Sequence, residues 1–320
     1  MALHTGWNWF SINCTPADPS LPAVLSSIEG KYSMIQSETG LYFPPPAPPS
    51  SSTFTSLAAG PGYMVHMTEA ATEPSPLQIE GPLVPASSPI ALHADWNWIG
   101  YNPPSPLGID TALSSIGGTY DFLLGEFGTY VPPPADPAFN TLTIMEPGRG
   151  YQVHMTSADI LVYASSMTAS AAQVQDRAAI TCQAQSTPYF THFYGPILVG
   201  GQPAPVGSIV EAYSPRGTLI GCGEVTTEGL FGYLRVYGED GSVDPPIPGM
   251  REGEEVDFRV DSLPAELPEG SPLWQGDKIA HDISLSQEQL GSYLPMIVRG
   301  GEAEAGRSLR KASAPRTSGG

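Results

Sequence analysis

The chain opens with Leu3-His4-Thr5-Gly6-Trp7-Asn8-Trp9, and the pattern returns as Leu92-His93-Ala94-Asp95-Trp96-Asn97-Trp98. The echo continues in order. Leu25-Ser26-Ser27-Ile28 matches Leu113-Ser114-Ser115-Ile116, and Gly30 with Tyr32 matches Gly118 with Tyr120. Tyr42 ahead of Pro44-Pro45-Pro46 matches Tyr130 ahead of Pro132-Pro133-Pro134. Gly62-Tyr63-Met64-Val65-His66-Met67 matches Gly150-Tyr151-Gln152-Val153-His154-Met155. The offset is 89 from Trp7 to Trp96 and 88 from Leu25 to Leu113, so a single indel separates two tandem copies of one small domain.

Alternation along an extended strand puts Leu3, Thr5, Trp7 and Trp9 on one face, and His4, Gly6, Asn8 and Phe10 on the other. The tryptophan face is common to both copies and is the expected core side. Apolar residues at Leu21, Val24, Leu25 and Ile28 have helical spacing, and Asp110 to Ile116 is the counterpart, with Asp110 as a candidate N-cap. Gly30 and Gly118 suit the helix ends. Strands are expected at 32–36, 41–43, 120–125 and 129–131, and single helical turns at 53–57 and 141–145. The Tyr-x-Val-His-Met strands should carry Tyr63, Val65 and Met67 on one face and Met64 and His66 on the other. A last strand at 77–79 or 160–162 closes each copy.

The bulk numbers agree with short strands joined by turns. The 320 residues include 35 glycines and 35 prolines, which cut helices short. The net charge is −19, with 13 Lys+Arg against 32 Asp+Glu, so nucleic acid and anionic membranes are repelled and basic partners attracted. No apolar run reaches the length of a membrane span. Neither a basic n-region nor an apolar h-region opens the chain, so no signal peptide is visible. Met1 falls almost on a repeat boundary, which points to a longer parent protein. Cys14, Cys182 and Cys222 lack zinc spacing. One bridge, Cys182 to Cys222, and three separate thiols are both open readings.

Beyond the second copy the sequence becomes rich in Ala, Ser, Gln and Thr and reads as a linker with a helical segment around 171–179. From Phe193 strand and turn patterns resume at 194–199, 206–212, 219–225, 230–236, 256–260 and 279–285, enough for a two-sheet sandwich. From 302 onward apolar residues are scarce.

The order Gly-Trp-Asn-x, Leu-Ser-Ser-Ile-x-Gly-x-Tyr, Tyr-x-Pro, Pro-Gly-x-Gly-Tyr, x-Met-Thr resembles the Gly-Trp-Asn-Leu-(Ile/Val)-Ser repeat of secreted and surface-attached bacterial proteins. Trp9 and Trp98 depart from it where leucine is usual, and Asp95 where glycine is. Gly195, Pro203, Gly207, Val210, Thr227 and Gly229 carry a resemblance to the carboxypeptidase regulatory-like, prealbumin-type sandwich, which implies a structural or adhesive appendage. Tyr293-Leu294-Pro295 resembles a short tail motif of secreted bacterial proteins.

Three groups of side chains are candidates for chemistry. His4 with His66, and His93 with His154, recur at equivalent positions away from the expected core face, and each pair is a candidate zinc or copper ligand set; the plainer reading is solvent-facing strand histidines. Glu239, Asp240 and Asp244 cluster in one turn and are candidate calcium ligands, against the plainer reading of a solvated turn; Glu252, Glu254 and Glu255 read the same way. The four tryptophans are a candidate sugar platform or, on their shared face with Leu3 and Leu92, core; Tyr101 and Tyr130 are candidate exposed aromatics. No phosphate loop, dinucleotide fingerprint, His-Glu-x-x-His or Gly-x-Ser-x-Gly motif occurs.

The sequence therefore predicts a mainly β chain: repeat 1 at 1–87, repeat 2 at 88–163, a linker at 164–192, a prealbumin/Ig-like sandwich at 193–286, and a tail at 287–320 disordered from about 301. The expected role is a non-enzymatic extracellular or cell-surface structural or adhesion module of a larger secreted bacterial protein, with carbohydrate-binding modules as the alternative. No cofactor is expected beyond the candidate calcium or zinc. The expected partners are other domains of the same protein or a cell-surface polymer such as a polysaccharide, and neither nucleic acid nor a transmembrane segment.

Overall fold

Each copy folds as a four-stranded antiparallel sheet with the same strand order. In repeat 1, β1 (Gly6–Ser11) lies at one edge beside β4 (Gly62–Met67), followed by β2 (Tyr32–Gln36) and β3 (Leu41–Tyr42). Repeat 2 adds a strand β5 (Ile90–Leu92) and then repeats the order with β6 (Asp95–Gly100), β11 (Gly150–Met155), β8 (Tyr120–Leu124) and β9 (Thr129–Tyr130). Two further short pairs belong to it, β7 (Leu107–Gly108) with β10 (Ile144–Met145) and β12 (Asp159–Leu161) with β5. The structure, a computed structural model, describes residues 1–72, 76–164, 184–268 and 270–288, and Met1–Glu288 forms one unit. The expected helical segment at 171–179, Cys182 and the tail from 289 lie outside the described residues. Cys222 is disulfide-bonded and Cys14 is free and buried.

The first helix of each copy is a single turn, α1 (Leu21–Val24) and α2 (Ile109–Ala112), running into a 3-10 turn at Ser26–Ile28 or Ser114–Ile116. Gly30 (φ +77) and Gly118 (φ +89) follow in the left-handed region, as a helix end requires. Asp110 is not the N-cap: Gly108 is, and Asp110 sits in the first turn, where its carboxylate accepts the Tyr130 hydroxyl. The helical turns expected at 53–57 and 141–145 fall earlier, at Pro49–Ser51 and Pro137–Phe139, because proline favours the first position of a helical turn; Ile144–Met145 is strand.

The two tryptophan strands do not carry one uninterrupted alternation. Gly6 (φ +91) and Asp95 (φ +80) adopt left-handed backbone, which resets the phase. Leu3 and Leu92 consequently pack into their own repeats' cores, with Phe10, Ile35, Tyr63, Val65 and Met67 in repeat 1 and Ile99, Leu123, Tyr151, Val153 and Met155 in repeat 2. Trp7, Trp9 and Trp98 are also buried, but on the opposite face and in a separate cluster.

The C-terminal part is built on β13 (Phe190–Val199), which begins inside the stretch read as linker. β13 pairs antiparallel with β14 (Gln202–Pro203) and β17 (Leu230–Tyr237), and in parallel with β20 (Ala280–Asp282) and β21 (Leu285–Gln287). A second sheet runs β16 (Leu219–Glu224), β15 (Ile209–Tyr213), β18 (Asp257–Val260), β19 (Leu263–Pro264), all antiparallel. The sheets face one another across Phe193, Ile197, Val210, Phe231 and Phe258. On its outer side the first sheet presents Phe190, His192, Arg235 and Tyr237, all opposite one another in the β13–β17 register.

The repeats meet by a pseudo-twofold exchange. Ser11 N donates to Gly148 O at 2.9 Å, and the equivalent Gly100 N donates to Gly60 O at 2.6 Å. Phe10 bridges Arg149, as Ile99 bridges Pro61. The approach leaves no room for a side chain: a Cβ on Gly62 would lie 2.7 Å from Ile99 O, and one on Gly150 2.7 Å from Phe10 O. Gly62→Ala and Gly150→Ala are each expected to destabilise the chain by about 1–3 kcal/mol through overpacking against backbone. Urea unfolding of the two variants checks this; a loss under about 0.5 kcal/mol in both would mean the junction yields freely.

Candidate functional site

The asparagine between the tryptophans explains the kink. Asn8 Oδ1 accepts His4 N at 2.8 Å, and Asn8 Nδ2 donates to His4 O at 2.7 Å and Gly6 O at 3.0 Å. Asn97 makes the same three bonds to His93 and Asp95, at 2.9, 2.7 and 2.9 Å. A buried amide that satisfies the backbone of a left-handed turn holds the tryptophan strand in phase with its sheet.

The histidine ahead of each kink reaches the other repeat. His4 Nε2 lies 2.5 Å from Glu126 Oε1, while Trp9 N donates to Glu126 Oε2 at 3.0 Å. His93 Nε2 lies 2.8 Å from Glu38 Oε1, while Trp98 N donates to Glu38 Oε2 at 2.6 Å. Glu38 and Glu126 are equivalent positions, so each repeat lends a carboxylate that bridges the histidine and tryptophan strand of the other. The hydrogen bond to Glu126 is the largest cause raising the His4 pKa, and that to Glu38 the largest cause raising His93.

The tryptophan faces of both repeats are roofed by the outer side of the β13 sheet. Arg235 is its centre. The guanidinium donates to Glu126 O (2.7 Å), Gly125 O (2.6 Å) and Gly128 O (2.8 Å), and stacks 5.4 Å from the Trp9 ring and 5.2 Å from Phe190. Arg235 Nε donates to His192 Nε2 at 3.2 Å, and Lys278 O is 3.2 Å from His192 Nδ1, so the ring proton is assigned to Nδ1. Burial first, and Arg235 second, hold His192 well below the usual histidine range, and it stays neutral. Lys278 Nζ donates to Gln152 Oε1 at 3.1 Å and lies 5.6 Å from the Trp98 ring; burial lowers its pKa to about 8. Over repeat 1 the 240–247 loop adds Val243 and Ile247, and Trp7 Nε1 donates to Asp240 Oδ2 at 2.9 Å.

These positions correct several expectations. His4 and His66 do not share a ligand site: His4 turns to Glu126, whereas His66 lies opposite Trp7, on the tryptophan face, with Nδ1 2.7 Å from Ser33 Oγ. His93 and His154 part in the same way, His154 packing 5.1 Å from the Trp96 ring with Nδ1 2.6 Å from Asp121 Oδ1. Directly opposed residues of an antiparallel pair share a face, so His66 and His154 follow the tryptophans. Asp240 is fully buried, its Oδ1 taken by Ser242 and its Oδ2 by Trp7; Glu239 pairs with Arg251 at 2.9 Å; Asp244 is exposed. Glu254 pairs with Arg216, while Glu252 and Glu255 are exposed. Among the described residues no three His, Cys, Asp or Glu side chains converge as a metal set. Tyr101 and Tyr130 are buried, not exposed, with hydroxyls bound to Ser105 O and Asp110. The roles of Glu38, Glu126, Asn8, Asn97 and Arg235 escape a reading of the sequence; recurrence at the repeat offset, of Glu38 with Glu126 and of Asn8 with Asn97, is the available signal.

No family model matches this chain, and no curated protein matches it either.

Because the folded-state pKa values of His4 and His93 lie above 6.5, their protonation favours the folded chain. That contribution is complete below the unfolded value and is lost as pH rises through the raised one. The stability gap between the native chain and the His4→Gln, His93→Gln double variant should be wider at about pH 5.5 than at about pH 8.5. An equal gap would count against the clasp. Arg235→Met orphans three buried carbonyls and is expected to cost on the order of 3 kcal/mol and to raise acrylamide quenching of tryptophan. Arg235→Lys should not restore either value, since one ammonium cannot span three acceptors; full rescue by lysine would contradict the fork geometry.

Proposed function

We propose that this chain is a non-catalytic structural or adhesion module of a larger secreted or cell-surface bacterial protein. On this reading the two copies are Gly-Trp-Asn-Leu-(Ile/Val)-Ser-type repeats, and the β13-centred sandwich is of the carboxypeptidase regulatory-like, prealbumin type. The observation that supports it is the buried seam. Trp7, Trp9 and Trp98, the aromatic surface a sugar-binding module would display, join the modules to one another with Phe190 and Arg235. Buried aromatics of this size dominate the energetics of a junction, which suits a spacer whose parts unfold together. The acidic balance of −19 keeps such a surface from associating with itself or with anionic polymers. The partners on this reading are neighbouring domains of the same protein or a cell-surface polymer. A carbohydrate-binding role would have to rest on Trp96 and loop residues.

Protease shaving of intact producing cells is expected to release peptides of this chain. Recovery from lysed cells alone would refute the surface assignment.

A further inference from the structure

The pseudo-twofold axis relating the repeats predicts two equal ends to the tryptophan platform, and among the described residues only one end is covered. In repeat 1, Trp7, Met34 and His66 are 0, 1 and 9% exposed beneath the loop that carries Asp240. Their counterparts in repeat 2, Trp96, Phe122 and His154, are all half-buried. The indole N–H of Trp7 has Asp240 as acceptor; that of Trp96 has no partner among the described residues.

The open end also differs in charge. Repeat 1 has Gly6 and Ser33 beside its tryptophan; repeat 2 has Asp95 and Asp121 at the same places. Asp95 keeps the left-handed backbone that Gly6 adopts without strain. Each carboxylate uses one oxygen inside the protein. Asp95 Oδ1 accepts Trp96 N at 2.9 Å and lies 3.5 Å from His154 Nε2, and Asp121 Oδ1 meets His154 Nδ1 at 2.6 Å. Oδ2 of both has no partner among the described residues, and the side chains are 76 and 54% exposed. Lys278 is turned away, to Gln152 and the Trp98 ring.

We propose that this end of repeat 2 binds an arginine side chain of a basic peptide segment. The guanidinium would lie on the exposed part of the Trp96 ring and pair with the free oxygens of Asp95 and Asp121. A peptide carbonyl would accept the Trp96 N–H, as Asp240 accepts that of Trp7. A flat cation suits an aromatic face flanked by carboxylates, and the two added carboxylates repel an acidic loop of the kind that covers repeat 1. The chain's own loop thus shows how such a face is filled, and the substitutions show how the second face has changed its ligand. The proposal is independent of where the protein resides.

The test uses the full chain labelled with 15N, the Trp96 indole resonance assigned from Trp96→Phe, and a peptide of alternating Arg and Ala. Saturable movement of the Trp96 indole, with the Trp7 indole unmoved, is expected. The variant Asp95→Gly, Asp121→Ser restores the repeat 1 residues, which fold in that setting, and should weaken binding about tenfold. The isosteric citrulline peptide should not bind. An unmoved Trp96 indole at millimolar peptide overturns the proposal. So does equal binding by the double variant, which would assign the attraction to overall charge, or movement with neutral oligosaccharides and not with the arginine peptide, which would assign the face to sugars.

Discussion

Trp9 is a residue at which all three modules touch. Its strand and ring belong to repeat 1, its backbone N–H is held by Glu126 of repeat 2, and its ring is covered by Arg235 of the sandwich. Arg235 in turn donates to the carbonyl of the same Glu126. A buried guanidinium is tolerated here because three carbonyls and two aromatic faces replace its water, and with Arg235 absent those carbonyls would be stranded. The roof, the clasp and the kinked strand depend on one another through this contact.

Duplication supplied the rest of the junction. Two copies of one surface related by a pseudo-twofold axis make each contact twice, as an isologous dimer does, but within one chain and so without a dependence on concentration. Hence the carboxylates Glu38 and Glu126 reach across in opposite directions, and Gly62 and Gly150 each give up a side chain for the other's backbone. A third module cannot obey that symmetry. It lies over the centre and one end, and the residues at the two ends have diverged accordingly: serine beside the covered histidine, aspartate beside the open one.

The repeats, most of their strands and the short helices are legible because hydrophobic spacing and turn residues act locally, whereas the order of strands in each sheet is not. Burial of the tryptophans was legible too, but its reason was not. Alternation carried through Gly6 and Asp95 as if the strand were continuous places Leu3 with Trp7 and sends His66 to the wrong face. A single residue with positive φ inverts every inference drawn across it. The acidic turn failed differently. Asp240 is exposed by the usual preference of carboxylates and buried in fact, because an indole N–H 233 positions away in sequence needs an acceptor.

The sequence by itself determined a duplicated, mainly β chain with aromatic strands, since self-similarity and period-two patterns need no knowledge of what lies across space. The tertiary structure alone decided that these aromatics face a third module and not their own repeat's core. It also decided that histidine and glutamate pair between copies, and that one tryptophan of four stays partly open. Those outcomes rest on contacts between residues far apart in the chain, whose partners are chosen by geometry and desolvation, and neither is written in the spacing of residues along one strand.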